Sequence, residues 1–390
     1  MPFIEDMRKS AFNQADKIIK EKGPRLAGSK ACTEAGQMLQ SSLDSFCDQT
    51  RLDQFNIHQG AFLGWIKILV IAYILSVVLL WFNLPLIALI LSVLSILILV
   101  LQFFFYLPII DFLYPKKHAY NAVGFIEPQD EVKEQIIISG HHDSARIFNF
   151  FIHQPSLYNL RVTGSIALVF ILTFYAFSRL FIQQATVTLI INVILTMGLL
   201  LILQMWFFAS KKGTPGAGDN LLASTIAIEI GKYFSQNKLK HTRVIIASFD
   251  AEEEGLRGSR AFAKTYKDLL NQYPTTMLNM DCLYQLKDLF FLTSDINDTV
   301  KLDKDLAMTL TEIAKNKGYP ATHKPLAFLT GGTDAGELAK QGVKATTLIG
   351  MAWSNQTRSS VYHTPQDTLD QVEPELVDAT IDIFLTYIES

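Results

Sequence analysis

The chain has 390 residues, with 34 Lys and Arg against 37 Asp and Glu for a formal charge of −3. Near balance argues against a basic nucleic-acid-binding face, because neutralising phosphates needs a clear excess of cations. Hydrophobic residues make up 49% and charged ones only 18%, against about 25% charged in ordinary soluble domains. Part of the chain therefore belongs in lipid, and disorder is excluded.

Residues 3–19 place Ile4, Met7, Ala11, Ala15 and Ile18 at helical spacing. This predicts an amphipathic first helix, packed on its own domain or lying on a membrane. Glu5, Asp6, Arg8 and Lys9, with no apolar segment behind them, are not the pattern of a signal peptide. Cys32, Cys47 and Cys282 show no Cys-x-x-Cys spacing, so reduced thiols facing the cytosol are expected rather than a disulfide framework.

Four long apolar stretches follow. Residues 62–82 are apolar apart from Lys67, and 84–110 contain no charge. Residues 162–178 and 180–210 repeat the pattern around Arg179, predicting spans of about 160–180 and 185–209. Crossing the hydrocarbon core takes about 20 apolar residues, so each stretch qualifies. Breaks at Asn83 and at Gln183-Gln184 make two hairpins, 61–118 and 146–213, which return the chain to the side it started from. Lys116, Lys117, Arg161, Lys211 and Lys212 flank that side, whereas Arg179 alone lies near the opposite tips. The positive-inside rule then places the polar bulk in the cytoplasm.

The polar remainder, 1–60, 119–145 and 214–390, alternates two periodicities. Residues 136–139, 244–249, 276–280 and 344–349 are buried strands by pattern; 30–46, 219–236, 257–270, 302–317 and 367–388 are helical. The fold class expected is α/β: a mixed, mainly parallel sheet with helices on both faces, interrupted by the two inserted hairpins. Ligands in such sheets sit beyond the carboxyl ends of the strands. The chemically informative residues fall there: His141-His142-Asp143, Asp250 to Glu254, and Asp281, joined by Asp219 and by Tyr362-His363. So many carboxylates around one crevice would repel one another without a counter-ion. A divalent metal removes the conflict, and mixed His, Asp and Glu donors suit zinc. There is no Walker loop, Gly-x-Ser-x-Gly elbow or His-Glu-x-x-His helix.

These motifs resemble those of metallopeptidase family 28, the co-catalytic two-zinc aminopeptidases. The matching segments are His141 to Asp143, Gly216 to Asn220, Glu252 to Ser259, Asn279 to Asp281 and Tyr362 to Thr364, with Gly23 to Ser29 similar to the family's opening motif. The resemblance implies two Zn2+ ions bridged by Asp219. Glu253 and His363 would complete one ion, His141 and Asp281 the other. It implies that Asp143 orients His141, that Glu252 is the general base and that Tyr362 stabilises an oxyanion or merely packs. His142 and Glu254 occupy variable positions and are not expected to be ligands; Asp334 is expected to cap a helix or line the substrate pocket.

The activity implied is that of a membrane-anchored exopeptidase, an aminopeptidase acting on peptides. The aromatic stretch 144–152 joins a ligand motif to a span, so the substrates expected are apolar peptides close to the bilayer, unless the hairpins serve only as an anchor. Two alternatives stay open: a one-zinc glutaminyl cyclase-like acyltransferase, and a non-catalytic membrane protein that retains the fold. A transporter fits less well, since the spans carry almost no charge.

Overall fold

The computed structural model describes residues 2–182, 184–327, 329–353 and 360–390; Gln183, half of the expected polar break, lies outside them. The chain forms two units, one of residues 1–59, 116–147 and 212–390, the other of 60–115 and 148–211.

The first unit is built on an eight-stranded sheet. Its strands are β1 (Gln49–His58), β2 (Lys116–Ile126), β3 (Glu134–His141), β4 (Thr242–Phe249), β5 (Thr275–Leu283), β6 (Leu289–Leu292), β7 (Thr322–Lys324) and β8 (Lys344–Gly350). They lie in the order β1-β2-β4-β3-β5-β8-β6-β7. The central run β4-β3-β5-β8 is parallel, and antiparallel pairs flank it. Central strands buried on both faces need continuous apolar runs, and Ile137, Ile138, Ile245, Met277, Leu278 and Leu348 are wholly buried. Helices α1 (Pro2–Lys22) and α2 (Lys30–Asp44) precede the sheet. The periodic residues of α1, Ile4, Met7, Ala11, Ala15 and Ile18, are all buried, so this helix packs on its own unit.

The expected strands and helices are present with shifted ends. The helix expected from 219 begins at Leu222, because Asp219 and Asn220 have non-helical backbone angles. The one expected over 257–270 breaks at Tyr266, and the last starts only at Pro374, whose ring suits a first helical position. Strands β1, β2, β6 and β7 were not foreseen. Strand β1 is half exposed along its length and mixes polar with apolar residues, so it has no apolar run to betray it.

The second unit holds four helices long and apolar enough to cross a membrane: Gly64–Trp81, Pro85–Phe104, Pro155–Ser178 and Ala185–Phe207. Trp65, Leu69, Tyr73, Leu172 and Leu195 pack in its interior, while Phe82, Phe174, Leu200 and Phe207 are outward and exposed. An apolar exterior around a packed interior is the arrangement lipid demands. Polar groups inside are paired: Tyr73 Oη donates to the Leu195 carbonyl at 2.9 Å, and Arg179 bonds Asn83 and Thr188. The chain thus has an integral-membrane topology.

One glycine fixes how closely β3 approaches the helix Leu222–Gln236. A Cβ on Gly140 would stand 2.5 Å from Ala223 Cβ and 2.9 Å from the Ser224 backbone nitrogen. Gly140→Ala should therefore cost about 1–3 kcal/mol through overpacking, read as a lower thermal midpoint of the detergent-solubilised protein; an unchanged midpoint would contradict the packing described.

Candidate metal centre

Parallel strands β4, β3, β5 and β8 place their carboxyl ends along one edge of the sheet, and the candidate residues gather there. His141 closes β3, Asp250 to Glu253 follow β4, Asp281 lies near the end of β5, and His363 comes from the loop after β8. Sharp turns aim them. Ala251, Leu256, Cys282 and His363 all adopt positive φ, between 51° and 60°. Non-glycine residues pay about 1–3 kcal/mol each for strained conformations of this kind and hold them only where the surroundings compel it.

The donor atoms converge. His363 Nε2 lies 3.3 Å from Asp219 Oδ2 and 3.5 Å from Glu253 Oε1, and His141 Nε2 lies 3.4 Å from Asp219 Oδ1. With metal–ligand bonds of about 2.0–2.1 Å, tetrahedral zinc sets its donors about 3.3 Å apart. Two overlapping groups, His141–Asp219–Glu253 and His141–Glu252–Asp281, each bring three donor atoms within 4.8 Å of one another. His141 Nε2 and Asp219 Oδ2 are buried and make no hydrogen bond among the described residues, as expected of donors that face a cation. The donor set fits one or two divalent ions.

Asp143 is fully buried and does two things. Its Oδ1 lies 3.2 Å from His141 Nδ1, and its two oxygens accept from the backbone N–H groups of Glu252 and Glu253 at 3.1 and 3.2 Å. It therefore fixes one imidazole and the start of the acidic loop together. Tyr362 is buried beside His363, ring centroids 3.9 Å apart, and lies 6.0 Å from Trp353.

Arg25 lies within the opening segment Gly23 to Ser29. It is wholly buried, and its guanidinium donates to the carbonyls of His142, Gly23, Pro215 and Gly216 at 2.7–3.0 Å. One side chain thus ties the N-terminal segment to both the His141 loop and the Asp219 loop. Asp367, just beyond the last motif, supports the Asp219 loop by accepting from Gly218 N–H at 2.8 Å. Asp334 is a correction to the capping expectation. Thr333 holds the N-cap position of the helix Asp334–Ala339, and the Asp334 carboxylate is buried.

Burial dominates the acid–base behaviour of the centre. It pushes Asp281 up to about 8 and Asp334 and Asp367 up to about 7, and it raises Glu252 and Glu253 well above the usual carboxylate range. For Asp219 burial acts the same way, but His141 and His363 outweigh it and hold the group below its ordinary value. Burial would lower His141, yet Glu252 and Asp143 overcome it and raise the imidazole.

The family model described as Peptidase family M28 matches residues 205–388. Solved structures of similar fold include a Zn-dependent exopeptidase from Parabacteroides distasonis, with TM-score 0.58, 14% identity and coverage of 98% of this chain and 97% of that one. A glutaminyl cyclase from Bacteroides thetaiotaomicron bound to N-acetylhistamine has TM-score 0.58 and 13% identity, with 97% and 96% covered. A leucine aminopeptidase precursor from the same organism gives 0.54 and 13%, with 97% and 95% covered. No curated protein matches. The chain therefore has the fold seen in these exopeptidase, aminopeptidase and glutaminyl cyclase structures, and among its described residues it carries four helices long and apolar enough to cross a membrane.

Two outcomes follow. Raised carboxyl values mean that the cation-free fold binds more protons than the unfolded chain, so its stability falls as pH rises from about 4 through about 8. Melting curves of chelated protein between about pH 5 and pH 9 should show this decline, and zinc should flatten it, its uptake releasing protons; a flat chelated profile would contradict the clustering. Arg25→Lys cannot serve four carbonyls with three donors. It should cost about 1–3 kcal/mol in thermal or denaturant unfolding and weaken zinc binding in competition with a chelating dye.

Proposed function

We propose that the chain is a metal-dependent enzyme acting on the N-terminal residue of peptides, and that its leading reaction is glutaminyl cyclisation. The observation that carries the reading is the compact donor set Asp219, Glu253 and His363, spaced at 3.3 and 3.5 Å. It suits a single ion with one position left for a substrate carbonyl. Glutaminyl cyclases also recur among structures of like fold. Asp219, Glu253 and His363 would hold the ion, which when bound polarises the side-chain carbonyl of an N-terminal glutamine. Glu252, buried and 3.7 Å from His141 Nε2, takes the proton from the α-amine as its nitrogen forms a bond to that carbonyl carbon. The same carboxyl passes the proton to the side-chain nitrogen, which leaves as ammonia. Asp143 keeps His141 and the Glu252 backbone in register, and Tyr362 lies beside the ligand His363.

A second reading, two-zinc aminopeptidase, draws on the other donor group. His141 and Asp281 lie close enough to Asp219 and Glu252 for a second ion, and the matching family model is a peptidase family. Here Glu252 would act on water rather than on an amine. Purified protein should be offered Gln-peptides and aminoacyl fluorogenic amides, each with chelator and with zinc added back. Ammonia release from Gln-peptides alone supports cyclisation; amine release from the amides supports the peptidase; neither product under any metal loading would sink both. Glu252→Gln should lower kcat by about 10²–10⁴-fold while zinc content stays unchanged.

The enzyme unit is assigned to the cytoplasmic side, supported by Lys116, Lys117, Arg161, Lys211 and Lys212 flanking the spans. Cysteine labelling of tags at residue 390 in intact cells tests this: protection is expected, and labelling would reverse the orientation. Peptides rich in apolar residues near the bilayer remain the proposed substrate class.

A further inference from the structure

Apart from the candidate centre, one more group of metal-type donors is buried among the described residues of the first unit. Cys32 of α2, His142 just beyond β3 and Asp250 just beyond β4 bring one donor atom each within 4.8 Å of one another, and all three are wholly buried. Cys32 Sγ donates to Asp250 Oδ1 at 3.2 Å. His142 Nδ1 is engaged by Ser248 Oγ at 2.9 Å, while His142 Nε2 is buried and makes no hydrogen bond among the described residues. An unmade hydrogen bond on a buried imidazole is costly, so this nitrogen calls for a partner.

The position of that nitrogen is informative. A Cβ on Gly36 would lie 3.2 Å from His142 Nε2. Gly36 sits one helical turn after Cys32, and residues four apart share a helix face. His142 Nε2 thus lies close against the strip of α2 that carries the thiol, an approach that a side chain at position 36 would crowd. Thiolate, imidazole and carboxylate are zinc-type donors, and one thiolate plus one carboxylate balance a divalent charge.

We propose that Cys32, His142 and Asp250 form a separate structural site for a zinc-type divalent ion, pinning α2 to the ends of β3 and β4. None of the three is among the residues assigned to the catalytic ion. His142, which the sequence reading did not expect to be a ligand, becomes one here. The ion would tie together two loops that also carry catalytic donors, so its loss should loosen the candidate centre without touching its ligands.

The test uses the full chain in detergent. Cys32→Ser keeps a hydroxyl that can donate to Asp250, so a purely hydrogen-bonding role survives the change whereas a thiolate ligand does not. Zinc per chain, measured by mass spectrometry after desalting, should fall by one equivalent in Cys32→Ser. Protein loaded with Co2+ should show thiolate-to-cobalt charge-transfer absorption that persists in Cys282→Ser and vanishes in Cys32→Ser. Should Cys32→Ser fail to fold, Gly36→Ala crowds His142 Nε2 in a good helix-forming context and should lose the same equivalent. Unchanged zinc content in the folded variants, or cobalt protein without the absorption, overturns the proposal. Neither readout depends on turnover, so a failed cyclase or peptidase assay leaves this result intact.

Discussion

Negative charge packed out of water governs this molecule. Asp143, Asp219, Glu252, Asp281 and Asp334 are all buried, with Glu253 close by, and the basic groups that share their space are His141, His363 and Arg25. Charges drawn out of solvent cost several kcal/mol each unless they are paired or neutralised. Burial accordingly raises several of these carboxyls above their ordinary range, and a divalent ion would offset the cost by pairing with them. Acid–base chemistry, metal affinity and stability are consequently one coupled property here.

The sheet makes such crowding possible. Its parallel centre delivers the ends of β3, β4, β5 and β8 to one edge, so residues far apart in sequence arrive together without long loops. What the sheet cannot supply is the final direction of each side chain. That comes from residues held at positive φ and from two internal tethers, Asp143 on backbone N–H groups and Arg25 on backbone carbonyls. Arg25 is the more unusual tether. Its charge is satisfied by four carbonyl dipoles rather than by a direct carboxylate bridge, which suits a place where every nearby acid is needed for other work.

Much of this was legible in the residues themselves. Continuous β-branched runs announced the central strands, charge-free lengths announced the spans, and acidic residues just past strand ends announced the crevice. Other features left no periodic trace. The half-exposed strand β1 alternates too weakly to register, and the start of the helix after Asp219 is set by a kink that composition does not encode. Arg25 and Asp367 act through backbone partners, which have no sequence identity to match. Asp334 misled because an acidic residue at a helix start is ordinarily a solvated cap, whereas this one is enclosed. Its burial depends on packing from distant segments, which no local window can reveal.

One feature of the connectivity governs how the protein must be made. The chain leaves the first unit after Ile147, four residues past Asp143, and returns at Lys212, seven residues before Asp219. During synthesis His141 and Asp143 therefore emerge from the ribosome well before Asp219, Glu252, Glu253, Asp281 and His363, and the whole second hairpin is translated in between. The remaining donors become available only after that hairpin has had its chance to enter the bilayer. In order of synthesis the second hairpin thus precedes every donor of the cluster except His141.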